Sequence, residues 1–447
     1  MSILVLKSEN LALSLSENKK NKFRDVSFEI SEGETGIVSG KSGSGKTLLG
    51  LSLCGYLPLW VGDWDLEGKL TFLGKPLIQG EIRNEIGIVL ENPYSQISGL
   101  KRSVFEELAF PLECRGIKPA IISDAVNRLS NEFEISPLLE RNIKTLSGGE
   151  LQRIIVAASL ISGPRFLFLD RLMTEIDMDF RPRLLEIISS AVDDSNGAAL
   201  IAEDPWLIPD HTFDMTVALG EEDTSEPPKP LAPENKNGAE LLSVDSLSFG
   251  FGDGAPVFKD VSFTLSGGEL KCISGPNGAG KTTLARIIAG IIEPSSGEIV
   301  LDGNSFGAID QGEKMALSGL ALQDPGLHLC RKTVREELAL AERWGNSPGE
   351  LTELLGLDKL LDFHPLELTQ AEKKRLGMAL AYGKQRKIII LDEPSQYQDS
   401  EGFGQIISAL RFILGEGKGV ILITHDPRFD SIIPDSETIR LSRADID

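Results

Sequence analysis

Two short, uninterrupted apolar stretches, each ending in an acidic residue, occur at similar places in the two halves of the chain. They are RFLFLD, which ends at Asp170, and KIIILD, which ends at Asp392. Such runs are typical of parallel strands that are buried on both faces of a sheet. Two apolar runs of helical character, LLGLSL and TLARIIAGII, each follow a glycine-rich loop. Strands alternating with helices predict an α/β fold with a mostly parallel central sheet in each half.

The halves form an internal repeat. FRDVSFEISEGE begins at Phe23, and FKDVSFTLSGGE begins at Phe258. Residues 147–203 match residues 369–425 at a constant offset of 222. Between the glycine-rich loop and the acidic strand the first half spans 124 residues and the second 111, so it is 13 residues longer. We assign this extra length to a helical insertion.

A stretch of linker composition separates the halves. EEDTSEPPKPLAPENKNG, residues 221–238, contains four prolines and many charges but almost nothing apolar. Such a segment is expected to be extended and solvated, and at about 3.1 Å per residue it could span roughly 50 Å. We therefore predict a first domain over 1–220, a proline-rich acidic linker over 221–238 and a second domain over 239–447.

Composition and charge narrow the class of protein. Hydrophobic residues make up 41% and charged residues 25% of the 447 positions, and no apolar run approaches the roughly eighteen residues that span a bilayer. The N-terminus lacks the features of a signal peptide. The four cysteines show no metal-binding or disulfide spacing, which fits a reducing cytoplasm. A net charge of -22 opposes binding to nucleic acid or to an anionic membrane surface, so membrane association would need a protein partner.

The glycine-rich loops carry the clearest chemistry. Both fit G-x-x-x-x-G-K-[ST], in which glycines let backbone amides wrap phosphates, the lysine reaches the outer phosphates and the hydroxyl holds magnesium. The chain is therefore predicted to bind ATP-like nucleotides, with Mg²⁺, twice. The predicted contacts are Gly40, Lys41, Ser42, Gly43, Ser44, Gly45, Lys46, Thr47 and Leu48 in the first half, and Gly275, Pro276, Asn277, Gly278, Ala279, Gly280, Lys281, Thr282 and Thr283 in the second.

LSGGELQR, which begins at Leu146, resembles the signature motif of ATP-binding-cassette (ABC) ATPases. With the phosphate loops and acidic strands, the resemblance covers nearly the whole chain. It implies two P-loop NTPase domains of ABC type, each with a mostly parallel sheet and a helical subdomain. In that family two cassettes dock head to tail, and ATP lies between the phosphate loop of one and the signature of the other. The two halves would then form a pseudo-dimer, although pairing between two chains is the alternative.

The resemblance assigns hydrolytic residues to the second half. Asp392 stands at the magnesium position, Glu393 at the catalytic base, Gln323 in the glutamine loop and His425 at the switch histidine. Thr282, Gln323 and Asp392 would hold the metal.

The second half has a poor signature of its own. LTQAEKKR places Gln370 and Ala371 where the family has glycines, and side chains there obstruct the approach of backbone amides to the γ-phosphate.

The first half is the mirror case. Its signature, Ser147, Gly148, Gly149 and Glu150, is intact, but Arg171 replaces the base, Glu203 the histidine and Glu91 the glutamine. Lys46, Thr47 and Asp170 remain, so Thr47 and Asp170 could hold a metal. One composite site would be complete, and the other would bind ATP with negligible turnover.

Decay of an unneeded half is the alternative. The retained phosphate loop and the segregation of the losses by composite site oppose it.

Two further hypotheses concern single side chains. Arg171 and Glu203 exchange the charges that the family has at these positions and could pair, with Glu91 as the competing partner; two unrelated exposed charges are the alternative. Phe251 stands near the position of the family's adenine-stacking aromatic, but it could equally be a core residue. Leu15 occupies the matching region of the first half.

The text around the first glutamine loop bears on function. LENPYSQI, followed by SVFEELAFPLECRGI, resembles the energy-coupling factor group, which imports vitamins or transition-metal ions through separate membrane subunits; TVREELAL from Thr333 is similar. Glu91 and the altered second signature depart from that pattern. The resemblance implies an ATPase at the cytoplasmic face of the cell membrane, peripheral and not inserted. It would grip transmembrane subunits near Gln96 and Asp324.

Two other functions stay open. One is the ATPase of a tandem-cassette sugar importer. The other is a soluble tandem cassette acting on ribosomes or DNA. The proline-rich linker, the eroded second signature and the acidic composition argue against this soluble class.

Overall fold

The chain folds into two compact units, Met1–Thr224 and Ser225–Asp447. The structure is a computed structural model, and it describes residues 3–16, 21–41, 43–57, 63–81, 83–204, 207–208, 211–220, 231, 238–252, 256–276, 278–342, 349–383 and 385–442. The predicted linker lies outside the described residues except at positions 231 and 238. Leu231 departs from the expectation of a solvated segment, because it is buried and its N–H donates to the Ile432 carbonyl at 2.9 Å.

The first unit alternates strands and helices along the chain. Its strands are β1 Leu4–Leu15, β2 Asn21–Ser31, β3 Thr35–Ser39, β4 Trp64–Phe72, β5 Lys75–Pro76, β6 Ile86–Val89, β7 Phe166–Asp170, β8 Ala198–Ala202 and β9 Met215–Ala218. Its helices are α1 Lys46–Leu53, α2 Val104–Cys114, α3 Pro119–Glu132, α4 Gly148–Leu160 and α5 Arg181–Ser195.

The second unit repeats this order. Its strands are β10 Glu240–Gly250, β11 Pro256–Ser266, β12 Leu270–Ser274, β13 Ser296–Leu301, β14 Asn304–Ser305, β15 Ser318–Ala321, β16 Ile388–Asp392, β17 Gly419–Ile423 and β18 Thr438–Arg440. Its helices are α6 Lys281–Ile288, α7 Gln311–Leu317, α8 Val334–Glu342, α9 Gly349–Leu354, α10 Gln370–Ala381 and α11 Ser400–Gly415.

A five-stranded parallel sheet forms the centre of each unit, as the apolar runs predicted. The strand orders are β6-β7-β8-β3-β9 and β15-β16-β17-β12-β18. Every residue of β7 and of β16 is buried, because helices and the second sheet of the unit cover both faces. The strand that leads into the phosphate loop is β3 in the first unit and β12 in the second. In each sheet a single strand, β8 or β17, separates it from the strand that ends in the aspartate.

Each unit also has a four-stranded antiparallel sheet, which the sequence analysis did not predict. Its orders are β2-β1-β4-β5 and β11-β10-β13-β14. Buried and more exposed positions alternate along β1 and β10, as expected for a sheet with one face on the core. Bulges interrupt the register in both units, and they obscure the two-residue period in the sequence.

The extra length of the first half lies mainly in its helical region. Glu91 precedes Ser147 by 56 residues, whereas Gln323 precedes Thr369 by 46, so ten of the 13 additional residues fall between these positions. The helices α2 and α3 occupy this segment with 11 and 14 residues, against 9 and 6 for α8 and α9. No helix in the described part of the chain is long and apolar enough to cross a bilayer.

The helix after each phosphate loop packs directly on the acidic strand, with a different pair of side chains in each unit. A Cβ built on Gly50 of α1 would lie 2.1 Å from the Phe168 ring of β7. The equivalent positions in the second unit carry Ala285 and Ile390, both fully buried. A larger strand residue therefore faces a smaller helix residue in the first unit, so the packed volume is similar in both.

Candidate functional site

Glycines fix the conformation of the second phosphate loop. Gly275, Gly278 and Gly280 have φ values of 144°, 82° and 87°, a region that favours glycine. A Cβ on Gly275 would also lie 2.2 Å from the Leu441 carbonyl oxygen. In the first loop the equivalent Gly40, Gly43 and Gly45 have φ values of 152°, 75° and 103°, so the glycines of both loops lie in the same backbone region.

The phosphate-loop lysines are buried and bend back over their loops. Lys281 Nζ donates to the carbonyl oxygens of Gly275 at 2.7 Å and Pro276 at 3.0 Å. Lys46 Nζ donates to those of Gly40 and, at 3.4 Å, Lys41. Burial lowers the pKa of Lys46. An ammonium group held at a glycine-rich loop that precedes a helix is suited to an incoming phosphate.

The other predicted loop contacts surround these lysines. Ser44 Oγ is buried without a hydrogen-bond partner in the described part of the chain, so its hydroxyl can donate to a phosphate oxygen. Ala279 is buried, and Thr283 and Leu48 lie half-buried in the first turns of α6 and α1. Ser42 and Asn277 lie outside the described residues.

Each loop threonine contacts the aspartate that ends the acidic strand. Thr282 Oγ1 donates to Asp392 Oδ2 at 2.8 Å, and Thr47 Oγ1 donates to Asp170 Oδ2 at 2.5 Å. Burial raises the pKa of both aspartates, and these hydrogen bonds oppose the rise. A hydroxyl beside a buried carboxylate fits the oxygen ligands that Mg²⁺ prefers.

The second half carries a buried carboxylate next to this pair. The Glu393 side chain is 14% exposed, and its backbone has a φ of 51°. Burial, and then the charge of Asp392, raises the pKa of Glu393 to about 7. His425 lies opposite, with Nε2 4.0 Å from Glu393 Oε1 and its backbone N–H donating to Oε2 at 3.3 Å. A carboxylate with this pKa can accept a proton near neutral pH.

Gln323 is exposed on the loop that follows β15. Because β15 and β16 are parallel neighbours, this loop and Asp392 leave the same edge of the sheet. Gln323 is therefore at the edge of the sheet where Asp392 lies.

The equivalent position in the first half has the opposite charge. The N–H of Arg171 donates to the Ala202 carbonyl at 2.9 Å, just as that of Glu393 donates to Ile423 at 2.9 Å. Arg171 Nη1 lies 3.7 Å from Glu91 Oε1, and its side chain is 12% exposed. Burial raises the pKa of Glu91, and the charge of Arg171 opposes this rise.

Glu203 is not the ion-pair partner of Arg171, contrary to our first hypothesis. Its side chain is buried, and its two oxygens accept the N–H groups of Met173 at 2.9 Å and Asp204 at 3.1 Å. Burial, together with the charge of Asp204, raises the pKa of Glu203 to about 7. The competing partner that we considered, Glu91, takes the ion pair instead, so the alternative of two unrelated exposed charges is also wrong.

The sequence analysis missed two equivalent aspartates, Asp204 and Asp426, which have different partners in the two halves. Asp204 Oδ1 lies 3.7 Å from Lys46 Nζ. The equivalent Asp426 instead binds Arg428, with Oδ2 accepting from Nη2 at 2.7 Å. The chain has Trp206 at the position equivalent to Arg428. This substitution was the available signal, because it removes the arginine that holds the aspartate in the second half.

The signature segments have the same backbone design. Ser147 and Thr369 cap α4 and α10, and each forms a reciprocal capping box with the glutamate three residues later. A Cβ on Gly148 would lie 2.5 Å from Glu175 Oε2. Gln370 and Ala371 replace the glycines in α10, with Gln370 exposed and Ala371 buried.

The aromatic predicted to stack on adenine lies on the surface. Phe251 is 64% exposed, and its ring meets Phe249 edge-on with centroids 4.9 Å apart. This exposure opposes the alternative that Phe251 is a core residue. Leu15, in the matching region of the first half, is half-buried.

The residues predicted to contact a membrane partner are engaged within their own loops. Gln96 accepts from the Leu90 N–H at 2.7 Å and donates to the Ile88 carbonyl at 3.1 Å. Asp324 accepts from the Gly326 N–H at 2.9 Å.

Comparison with known proteins identifies relatives along the whole chain. The family model described as "ABC transporter" matches residues 23–173 and 258–396. A protein of Bacillus subtilis named as an HMP/thiamine import ATP-binding protein is 29% identical, over 97% of this chain and 89% of its own. A protein of Treponema denticola named as an ABC transporter ATP-binding protein is 28% identical, over 94% and 92%. Among solved structures, the archaeal ribosome recycling factor aABCE1, in complex with the stalk protein aP1, matches in fold, with a TM-score of 0.64 at 21% identity over 97% of this chain and 89% of its own.

Proposed function

The chain belongs to the ABC transporter family of ATP-binding proteins, and we propose that it powers a membrane importer of energy-coupling factor type. Members of this family are ATP hydrolases, and this chain carries two cassettes of the family. The cargo that we propose is a vitamin related to thiamine, with a transition-metal ion as the alternative within the same group.

One observation carries the transport assignment. The thiamine-import relative of Bacillus subtilis aligns with 97% of this chain, so the similarity includes both cassettes and their order. The solved ribosome recycling factor is similar in fold alone, and fold by itself does not determine function. The segment SVFEELAFPLECRGI, which follows the first glutamine loop, also supports an importer of energy-coupling factor type.

Hydrolysis is assigned to the phosphate loop of the second half. Glu393, with its pKa of about 7, accepts the proton of the attacking water, and His425 lies beside it. Lys281 binds the outer phosphates. A magnesium ion, when bound, supplies charge neutralisation at the β- and γ-phosphate oxygens, and Thr282, Asp392 and Gln323 would hold it.

The signature of the first half completes this catalytic site, in the manner of the family. Next to Ser147, Gly148 and Gly149 have no side chains that would block the approach of a phosphate to their backbone amides, whereas Gln370 and Ala371 carry side chains at the equivalent positions. ATP held by both halves favours a closed state, and its loss favours an open one. The first phosphate loop binds a nucleotide and does not turn it over, because Arg171 stands in place of a base.

The partners that we propose are separate transmembrane subunits, with this chain at the cytoplasmic face of the membrane. The loops that contain Gln96 and Asp324 would receive them. The alternatives are a tandem-cassette sugar importer and, in another class, a soluble ATPase acting on ribosomes or DNA.

Isolation of the membrane complex tests this proposal. The chain is expressed in its native host with an affinity tag, and its co-purifying subunits are identified by mass spectrometry. The complex is then reconstituted in liposomes with ATP enclosed in the lumen, because an importer delivers its cargo to the side on which its ATPase acts. We expect small integral membrane subunits and uptake of labelled thiamine or its pyrimidine precursor, and a Glu393→Gln complex should show neither hydrolysis nor uptake. Co-sedimentation with ribosomes in place of membrane subunits, or uptake of sugars alone, would contradict it.

A further inference from the structure

We propose that the nucleotide bound by the first half is neutralised by the guanidinium of Arg171 and takes no magnesium ion. The inference rests on the proposed function in one respect, namely that the first phosphate loop holds a nucleotide. It goes further by naming the chemical form of that ligand, a nucleoside triphosphate without its metal.

Arg171 leaves the backbone at the same place as the catalytic carboxylate of the second half. Both residues directly follow the aspartate that ends a buried parallel strand. Their φ values are 48° and 51°, and their N–H groups donate to Ala202 and Ile423 of the neighbouring strand, each at 2.9 Å. The first half therefore has a fixed positive charge where the second half has Glu393.

Glu91 is engaged with this cation. It stands at the position of Gln323, which we propose as a metal ligand in the second half. Glu91 Oε1 lies 3.7 Å from Arg171 Nη1. In this structure the side chain at the metal-ligand position therefore lies beside a guanidinium group.

The remaining residues test whether a metal fits the first half. Thr47 and Asp170 form the same contact as their equivalents in the second half, and Asp170 Oδ1 is buried without a hydrogen-bond partner in the described part of the chain. That oxygen alone would favour a cation. Arg171, however, is the next residue and is mostly buried, so a divalent ion there would meet a like charge with little solvent screening. Magnesium fits the second half and not the first.

A guanidinium group can take over the electrostatic part of the metal's role. Its planar fork of donors matches two phosphate oxygens, and it keeps its charge at every physiological pH. The contact with Glu91, at 3.7 Å, is longer than a hydrogen bond and can yield to a phosphate. A monocation cannot bridge and polarise phosphates as a divalent ion does, so this arrangement stabilises binding without promoting hydrolysis.

Counting bound metal tests this inference on the full chain. The Glu393→Gln protein, which we expect not to hydrolyse ATP during the measurement, is saturated with ATP and Mn²⁺ as the magnetic probe. Bound Mn²⁺ is counted by electron paramagnetic resonance and bound nucleotide by equilibrium dialysis. We expect two nucleotides and one manganese ion per chain. Two manganese ions per chain would overturn the inference.

Binding by single-site variants provides the second measurement. In Lys281→Ala, which leaves only the first site, the affinity for a fluorescent ATP analogue should change less than about threefold between Mg²⁺ and EDTA. In the matched Lys46→Ala chain, which leaves only the second site, EDTA should lower the affinity for the analogue at least about tenfold. Adding Arg171→Glu to the Lys281→Ala chain should make binding depend on magnesium.

The outcomes separate the two proposals. If the Lys281→Ala chain binds with Mg²⁺ but loses the nucleotide in EDTA, only the role of Arg171 is wrong. If it binds under neither condition while Lys46→Ala still binds, the nucleotide-holding role of the first half is wrong as well. Thermal unfolding of every variant shows whether it is folded. The manganese count uses neither Lys281→Ala nor Lys46→Ala, so it still tests the inference if these variants do not fold.

Discussion

The guanidinium of Arg171 lies 3.7 Å from the carboxylate of Glu91, at the two positions where the second half carries Glu393 and Gln323. In one half these positions hold a carboxylate with a pKa of about 7 and an exposed amide. In the other they hold an ion pair in which the Arg171 side chain is 12% exposed and the Glu91 side chain 32%. The same backbone therefore carries two different kinds of chemistry, and the following predictions separate them.

Removal of the carboxylate of Glu393 should abolish turnover. Glu393→Gln keeps the shape of the side chain and removes the proton acceptor, so we expect the steady-state ATPase rate to fall by about 10²- to 10⁴-fold. Arg171→Gln is the matched control, since it places the same amide at the equivalent position. It should lower the rate less than Glu393→Gln does, because Arg171 is proposed to act on the nucleotide of the first half and not in proton transfer. Equal losses in the two variants would contradict the assignment of the base.

Hydrolysis should depend on pH near neutrality. The ionised form of Glu393 is the one that accepts a proton, and burial raises its pKa to about 7. Below that value kcat/KM should fall about tenfold per pH unit. The measurement is a profile of kcat/KM from pH 5.5 to 8.5 at saturating magnesium. A kcat/KM that stays constant down to pH 5.5 would show that Glu393 is not the group that limits the reaction.

Glu203 should make the protein less stable at high pH. Its pKa is raised from 4.5 to about 7 by burial, so the folded state favours the protonated form. The stability that this provides is fully present below pH 4.5 and is lost as the pH rises through 7, by up to about 3 kcal/mol.

The control for this effect is Glu203→Gln, which cannot ionise. Chemical unfolding of both proteins at pH 5 and pH 8 should show a smaller loss of unfolding free energy in the variant. Glu393 is present in both proteins, so its own titration cancels in the comparison. The same loss in both would mean that Glu203 does not titrate in this range.

The contact between α1 and β7 should not tolerate a methyl group. Gly50→Ala forces a Cβ to within 2.1 Å of the Phe168 ring, so we expect the first unit to lose about 1–3 kcal/mol of unfolding free energy. Adding Phe168→Ile recreates the pair found at Ala285 and Ile390 and should recover part of the loss. Thermal unfolding of the two single variants and the double variant measures this coupling. Strictly additive effects would contradict it.

The sequence was sufficient for the elements whose pattern is local. The uninterrupted apolar runs predicted the buried parallel strands, because such runs are typical of strands covered on both faces. The resemblance to the ABC family implied that Thr282 and Asp392, and Thr47 and Asp170, would hold a metal together, and each pair is hydrogen-bonded in the structure. The members of these pairs lie 110 and 123 residues apart along the chain, so the pairing came from the family pattern and not from local connectivity.

Contacts between distant loops were harder to predict. The choice of Glu91 over Glu203 as the partner of Arg171 depends on where the glutamine loop runs, and on two backbone N–H groups that occupy Glu203. The Lys46–Asp204 pair depends on the arginine that the first half lacks at position 206. The antiparallel sheets were missed because bulges break their two-residue period.

The steady-state ATPase rates of Ser147→Arg and Thr369→Arg test the central claim most directly. The two residues cap equivalent helices with the same capping box, so an arginine perturbs both folds in the same way. If the signature of the first half completes the single hydrolytic site, the ATPase rate of Ser147→Arg should fall to that of Glu393→Gln. The ATPase rate of Thr369→Arg should stay within about threefold of wild type. An inactive Thr369→Arg variant together with an active Ser147→Arg variant would contradict this account.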